Sequence, residues 1–413
     1  MSKVLIIGAG GVGRVVTHKC ARLPEVFSEV MLASRTLAKC EAIAAACERP
    51  IRTAAVDADD PAAVERLIRS FGARLVINVA LPYQNLPIME ACARCGVHYV
   101  DTSMHDELDD TVYDYGPQKA FGPRFQEAGV TGLLSIGFDP GVVNVYCAYA
   151  QKHLFDQIET IDIIDCNAGS NGLPFATNFD PETNLREVLC DVPYFEDGRW
   201  HTAPALTISR EFDFPEVGRR RAYLMAHEEV LSIQENIPGV RNVRFWMTFN
   251  ESYLTHVRVL RNLGLTEIKP VEYNGVQVIP LRFLKQVLPN PAGLGSRTTG
   301  KTSIACVIEG LHRGRRRRVR IANVCSHEAA YREVGSQAIS YTTGVPAALA
   351  ARLILEGAWS RPGAWTPEEL DPDPFMDAIG PMGLPWRLEE LPVEHAADHR
   401  ARSPRRSQPV LRR

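Results

Sequence analysis

Residues 8–13 read Gly-Ala-Gly-Gly-Val-Gly and follow directly on the apolar run Val4-Leu5-Ile6-Ile7. A run this short and apolar, passing straight into glycines, reads as a buried strand, and a helix-forming stretch from Val12 to Leu23 comes next. Strand, G-x-G-x-x-G and helix in that order make a dinucleotide-binding turn. Gly8 allows the tight turn, Gly10 lets a pyrophosphate approach the backbone, and Gly13 lets the helix lie close to the strand. The amides of Gly11, Val12 and Gly13 then face the anion at the helix N-terminus.

That turn commits the N-terminal part to an α/β, doubly wound Rossmann sheet, and the sequence beyond it agrees. Short apolar runs recur at Glu29–Ala33, Leu75–Val79, His98–Val100 and Leu133–Ile136 with helical stretches between them, the pattern of a parallel sheet covered on both faces. From about Thr160 the texture changes to alternating strands, such as Thr160–Cys166, and to loops rich in Pro, Gly and Asn. A hairpin is predicted from Thr302–Ile308 and Arg315–Val324 joined through Glu309–Gly314, which puts Arg315–Arg318 on a strand. Thr343-Gly344-Val345-Pro346 predicts a helix with the proline near its first turn, running through Ala347–Leu355 to Gly357. The expected organisation is a Rossmann domain over 1–145, a second α+β domain for substrate binding and dimerisation over 146–335, a segment over 336–390 that returns to the first domain, and a disordered basic tail over 391–413.

Two domains suit 413 residues of which 45% are hydrophobic and 23% charged. A net charge of -3 offers no global attraction to nucleic acid or an anionic membrane. Ten cysteines are too sparse for a disulfide scaffold and read as reduced thiols. With no secretory signal and no stretch read as a membrane span, the expected location is cytoplasmic.

Two motifs mislead. Gly295-Ser296-Arg297-Thr298-Thr299-Gly300-Lys301-Thr302 matches the P-loop pattern, but prolines precede it and the hairpin, not a helix, follows. Cys92-Ala93-Arg94-Cys95 falls inside a helical stretch without a second pair, so it reads as a packing pair, and no metal site is expected.

The end of the second strand selects the cofactor. Where an Asp or Glu would hold the ribose diol of NAD stand Ser34 and Arg35, a hydroxyl and a guanidinium suited to a 2′-phosphate, so NADP(H) is expected. Asp57 and Ala58 close the third strand beside the adenine. Asn78, Ala80 and Leu81 close the fourth beside the nicotinamide ribose, and Thr102 and Asp139 close the next two.

The segments Ala80–Asn85, Gly137–Asn144, Gly172–Asn184 and Tyr331–Pro346 give the chain a resemblance, over about residues 1–390, to the saccharopine dehydrogenase-like superfamily. Within it the chain looks most like the carboxynorspermidine synthases, also called carboxyspermidine dehydrogenases. The resemblance implies NADPH-dependent reductive condensation of L-aspartate β-semialdehyde with putrescine or 1,3-diaminopropane, in a homodimer held by the second domain. Such chemistry needs an anchor for the amino-acid end, for which Asn167, Asn178 and Arg186 are the candidates. A distal diamine nitrogen suits Asp139 or Asp180, and Asp101, Asp139 and His256 are candidate proton relays. Arg297 and Lys301 are candidate cations for an anionic substrate. Two alternatives stay open: a saccharopine reductase-type enzyme, which needs extra cations for its carboxylates, and a non-catalytic NADP(H)-binding redox sensor.

Overall fold

The structure, a computed structural model, describes residues 2–108 and 113–393 and the backbone of 405–406. The chain divides into two compact units. The first takes in the described residues of Met1–Tyr149, Leu231–Asn236 and Ala330–Pro385, and the second those of Ala150–Val230, Ile237–Ala329 and Trp386–Arg413. The tail expected to be disordered from 391 onward lies mostly outside the described residues; Arg405–Arg406 are described as a two-residue strand paired with Ile208–Ser209.

In the first unit β1 (Ser2–Ile7), β2 (Phe27–Ser34), β3 (Arg52–Ala55), β4 (Leu75–Asn78), β5 (His98–Asp101) and β6 (Thr131–Leu133) form a parallel sheet with Gly363–Trp365 at its edge. The spatial order is Gly363–Trp365, β6, β5, β4, β1, β2, β3, so the winding reverses between β1 and β4. Ile7 pairs with both Ala33 and Asn78, which brings the ends of three strands level with the glycine turn. Val4–Ile7 and Leu75–Ile77 are buried, as strands covered on both faces must be.

Helix α1 (Gly11–Ala21) follows β1. The helix predicted to open near Pro346 instead spans Ala338–Glu356, with the proline inside it. A proline at this depth withholds one backbone donor, but Gly344 beside it lets the helix lie against α1: a Cβ on Gly344 would stand 2.7 Å from that of Val15. By length and composition this helix could cross a membrane, contrary to expectation, yet 72% of its most apolar window is buried.

In the second unit Gln157–Asn167 is the central strand, antiparallel to Lys301–His312 and parallel to Asn242–Thr248. The predicted hairpin is longer than expected: Lys301–His312 and Arg315–Ser326 leave only Arg313 and Gly314 as the turn, both at positive φ. Three of the four arginines of the basic run on this strand pair with carboxylates, Arg316 with Glu159, Arg317 with Glu390 and Arg318 with Glu309. A strand, not a helix, follows Gly300, so the P-loop pattern stands in the wrong context here. Cys92 is buried on the helix Asn85–Cys95, and all ten cysteines are free thiols.

Candidate active site

The glycine turn is built by close contacts. Gly8 leaves β1 at φ +120, and a Cβ there would stand 2.4 Å from the carbonyl oxygen of Val79. A Cβ on Gly13 would fall 1.8 Å from the carbonyl oxygen of Gly8. Gly10 is different: nothing lies within 4 Å of its Cβ position, so the backbone is open to an approaching group. No side chain caps α1 and no acidic residue stands in its first turn, which leaves the amides of Gly11, Val12 and Gly13 to an anion. Ala80 lies against the same turn, its amide nitrogen 2.8 Å from the Cβ position of Gly8, and Leu81 follows it half-buried.

Beyond β2 the structure refines the expectation. Ser34 does not present its hydroxyl outward: it donates to the carbonyl of Thr36 at 3.1 Å and accepts from the Thr36 amide at 3.2 Å. Ser34 therefore shapes the bend that carries Arg35, which is exposed and makes no ion pair among the described residues. An open backbone at a helix N-terminus and an uncommitted guanidinium after the second strand fit a pyrophosphate and a 2′-phosphate. Asp57 is exposed and accepts from the Asp59 amide, with Ala58 buried beside it.

Two other expected contacts are interior. Asn78 is buried: it donates to Asn85 at 2.8 Å and to the Tyr99 hydroxyl at 3.0 Å, and accepts from the Ala80 amide. It orients Ala80. Asp101 is 1% exposed and accepts from the Ser135 amide at 2.6 Å, the Tyr99 hydroxyl at 2.8 Å and Gln118 at 2.7 Å. Burial pushes its carboxyl up to about 7 against the pull of those donors. Both oxygens being engaged inside the unit, Asp101 is corrected from a proton relay to a positioning residue that ties β5 to the residues after β6.

Thr102 and the Gly137 motif meet at the same end of the sheet. A Cβ on Gly137 would lie 3.3 Å from Thr343 and 3.5 Å from the Thr102 carbonyl. Asp139 is half-buried there. Asn144 locks the motif, accepting from the Gly141 amide and donating to Ser232 and Glu368.

Sequence reasoning missed the groups that brace α1. Lys19 donates to Glu333 at 2.5 Å, to the Tyr341 hydroxyl at 2.8 Å and to the Met382 carbonyl at 2.8 Å. The Ser336 hydroxyl donates to the Gly11 carbonyl at 3.1 Å. The segment Tyr331–Pro346 thus holds the glycine helix from behind.

In the second unit Asn167 accepts from the Gly169 amide and lies 2.9 Å from Nε2 of His327, which burial holds neutral with a pKa of about 4. Its carbonyl is therefore used in shaping the loop. Asn178 is half-buried, and Arg186 is buried on the helix Pro181–Leu189. Asp180 caps that helix and pairs with Lys285 at 2.7 Å, which removes it as a ready carboxylate. His256 lies on Glu251–Asn262, donates from Nδ1 to the Ser252 carbonyl and stacks on Phe175 at 5.4 Å. It belongs to a different unit from Asp101 and Asp139.

Lys301 is corrected too: Glu216 pairs with it at 3.1 Å and with Arg387 as well, so its charge is spoken for. Arg297 is exposed, its guanidinium 3.7 Å from the Cβ position of Gly172, with no ion pair among the described residues. No group of His, Cys, Asp and Glu suited to a metal ion occurs among the described residues.

Known proteins match this arrangement along nearly its whole length. The profile of the saccharopine dehydrogenase NADP binding domain matches residues 4–133, and that of the saccharopine dehydrogenase C-terminal domain matches residues 137–384. A carboxyaminopropylagmatine dehydrogenase of Synechocystis sp. is 50% identical over 387 residues, 94% of this chain and 97% of that protein. A carboxynorspermidine synthase of Vibrio alginolyticus is 44% identical, with 95% of this chain and 99% of that protein covered. The solved saccharopine dehydrogenase (L-Glu forming) of Saccharomyces cerevisiae shares the fold, with a TM-score of 0.73 at 15% identity over 95% of this chain and 100% of that one.

Proposed function

This chain belongs to the saccharopine dehydrogenase family, and from that premise we propose that it joins L-aspartate β-semialdehyde to a diamine by NADPH-dependent reductive condensation. It is an NADP-dependent oxidoreductase acting on a CH–NH bond, of the kind that serves polyamine synthesis. The observation that carries the proposal is an uncommitted Arg35 after β2 in a chain aligned almost end to end with proteins named for such products.

NADPH supplies the hydride that reduces the imine carbon. The amides at the start of α1 and the open backbone at Gly10 hold the pyrophosphate, Arg35 holds the 2′-phosphate, and Ala80 and Leu81 bound the nicotinamide side. Asn78 and Asp101 keep these strand ends in place from beneath. In the second unit Asn178, Arg186 and Arg297 are the groups for the amino-carboxylate end and His256 is a remaining proton carrier; in the first unit Asp139 is the other.

The diamine is putrescine or 1,3-diaminopropane. A second reading, agmatine as the amine, is favoured by the higher identity to the carboxyaminopropylagmatine dehydrogenase, 50% against 44%. We place the enzyme in the cytoplasm, in keeping with its ten free thiols. It acts as a homodimer; Val259, Leu263, Tyr273, Val276, Phe283 and Val287 leave apolar side chains exposed on the second unit.

The test is loss of reduced-nicotinamide absorbance with L-aspartate β-semialdehyde and each of the three amines, omitting each component in turn. Oxidation that requires both aldehyde and amine supports the proposal. Turnover only with glutamate as the amine points to a saccharopine reductase, and NADPH binding without any turnover points to a sensor.

A further inference from the structure

The central strand of the second unit carries two buried aspartates with opposite surroundings. Asp162 faces Arg244, which donates to it at 2.7 and 3.0 Å, the Trp246 indole at 2.8 Å, and Arg210 at 3.5 Å. Asp165, three residues on and therefore on the other face, has none of this. It is 6% exposed, and its Oδ1 has no hydrogen-bond partner among the described residues.

What Asp165 faces is a buried cluster of one imidazole and two further carboxylates. Ile163, two residues earlier on the same face, pairs with Phe245, and Asp165 pairs with Met247. The His227 ring stacks on Phe245 at 3.9 Å, which sets the imidazole beside Asp165. His227 is already engaged: Nδ1 lies 2.5 Å from Glu229 and Nε2 lies 3.3 Å from Glu187. Burial disfavours its charge, but Glu229 and Glu187 outweigh that and hold the imidazole protonated. One imidazolium thus serves two carboxylates, and the third is left over.

A carboxylate out of water without a donor is costly, and persistent cases mark places where a ligand completes the set. Burial pushes Asp165 up to about 7, with Glu187 and Glu229 adding to the rise and His227 opposing it. A cationic nitrogen entering beside Asp165 reverses both effects, since an ammonium brings three donors and a guanidinium five.

We infer that Asp165, with Glu187 and Glu229 around His227, is the site that receives the distal cationic nitrogen of the amine substrate. The inference rests on the reading above that the second substrate is an amine; it assigns that nitrogen to the second unit. It replaces Asp180, whose carboxylate is held by Lys285 and its own helix.

The test uses the full-length enzyme and Asp165→Asn, with NADPH affinity as the check on folding. Wild type is expected to prefer putrescine over n-butylamine, which lacks the second nitrogen. In Asp165→Asn the KM for putrescine, 1,3-diaminopropane or agmatine rises by about 10- to 100-fold, as for loss of a hydrogen bond to a charged group, while turnover of n-butylamine and the KM for the aldehyde hold within about twofold. Glu187→Gln gives a smaller rise of the same kind and carries the test if the asparagine variant does not fold. Which amine suffers most separates an ammonium from a guanidinium ligand. An unchanged amine KM and an unchanged preference over n-butylamine in a folded variant overturn the inference and leave the proposed function standing. If no amine supports turnover, calorimetric titration with putrescine and agmatine decides: binding by wild type that Asp165→Asn abolishes keeps the site without that function, and no binding, or equal binding by both, overturns it.

Discussion

Arg244 grips Asp162 with two nitrogens, at 2.7 and 3.0 Å, across adjacent parallel strands of the second unit. The Asp162 side chain is 8% exposed, so this pair is held largely out of water. Removing one partner strands the other charge, and Arg244→Ala or Asp162→Asn is expected to cost about 3–5 kcal/mol of stability. Arg244 and Arg210 hold the Asp162 carboxyl below the usual range although burial alone raises it, so the contribution is complete above the unfolded pKa and is lost as pH falls through the native one. Denaturant unfolding of wild type and variant at neutral pH measures the cost; a difference under about 1 kcal/mol would mean that the pair is worth no more than a surface one.

Gly13 tests the glycine turn. A methyl group there meets the Gly8 carbonyl at 1.8 Å, so Gly13→Ala must push α1 away from β1. Stability is expected to fall by about 1–3 kcal/mol or more, with a larger proportional loss of NADPH affinity. Gly10→Ala, with nothing within 4 Å of its Cβ, is expected to leave stability unchanged and to weaken only the cofactor. The two variants compared by thermal melting with and without NADPH separate packing from binding; equal effects on both readouts would defeat the assignment.

Arg35 is expected to choose between the two nicotinamide cofactors. Exposed and without an ion pair among the described residues, it loses no structural contact on truncation. Arg35→Ala is expected to raise the KM for NADPH by about 10- to 100-fold and to leave that for NADH nearly constant. Initial rates with each cofactor measure this, and a parallel loss with both would assign Arg35 elsewhere.

Asp101 makes a pH prediction. Its native pKa is raised to about 7, whereas an unfolded aspartate titrates near 3.8. Between those values the native state keeps a proton that the unfolded state has lost. The contribution of Asp101 to stability therefore falls as pH rises through that window, by up to about 1.4 kcal/mol per pH unit. Asp101→Asn is expected to flatten the profile while lowering stability throughout, since an amide cannot accept from Ser135, Tyr99 and Gln118 together. Urea unfolding from pH 4 to pH 8 reads both effects, and a slope identical to wild type would remove Asp101 as their source.

Lys301 and Arg297 were indistinguishable as loop cations in the sequence. Lys301 pairs with Glu216, whereas Arg297 is exposed without an ion pair. Lys301→Ala is expected to change stability by about 0–1 kcal/mol and the aldehyde KM not at all, while Arg297→Ala raises that KM. Steady-state kinetics of the two variants decide it, and the opposite ranking would return Lys301 to the substrate.

Local sequence determined what depends on local sterics. Gly8, Gly10 and Gly13 after an apolar run define the turn, because only glycine tolerates contacts of 1.8 and 2.4 Å at its Cβ position, and the lack of an acid after β2 selects the phosphate-bearing cofactor. The alternation of Thr302–Ile308 and Arg315–Val324 likewise made the hairpin legible. The tertiary structure decided what each polar side chain is free to do, since that depends on partners far away in sequence. Nothing near Asp101 announces Ser135, 34 residues on, and nothing near Lys301 announces Glu216. Asp162 and Asp165 read alike in the chain; the strand's period of two sends one to Arg244 and the other to His227, and only the neighbouring strands determine which carboxylate is left over for a ligand.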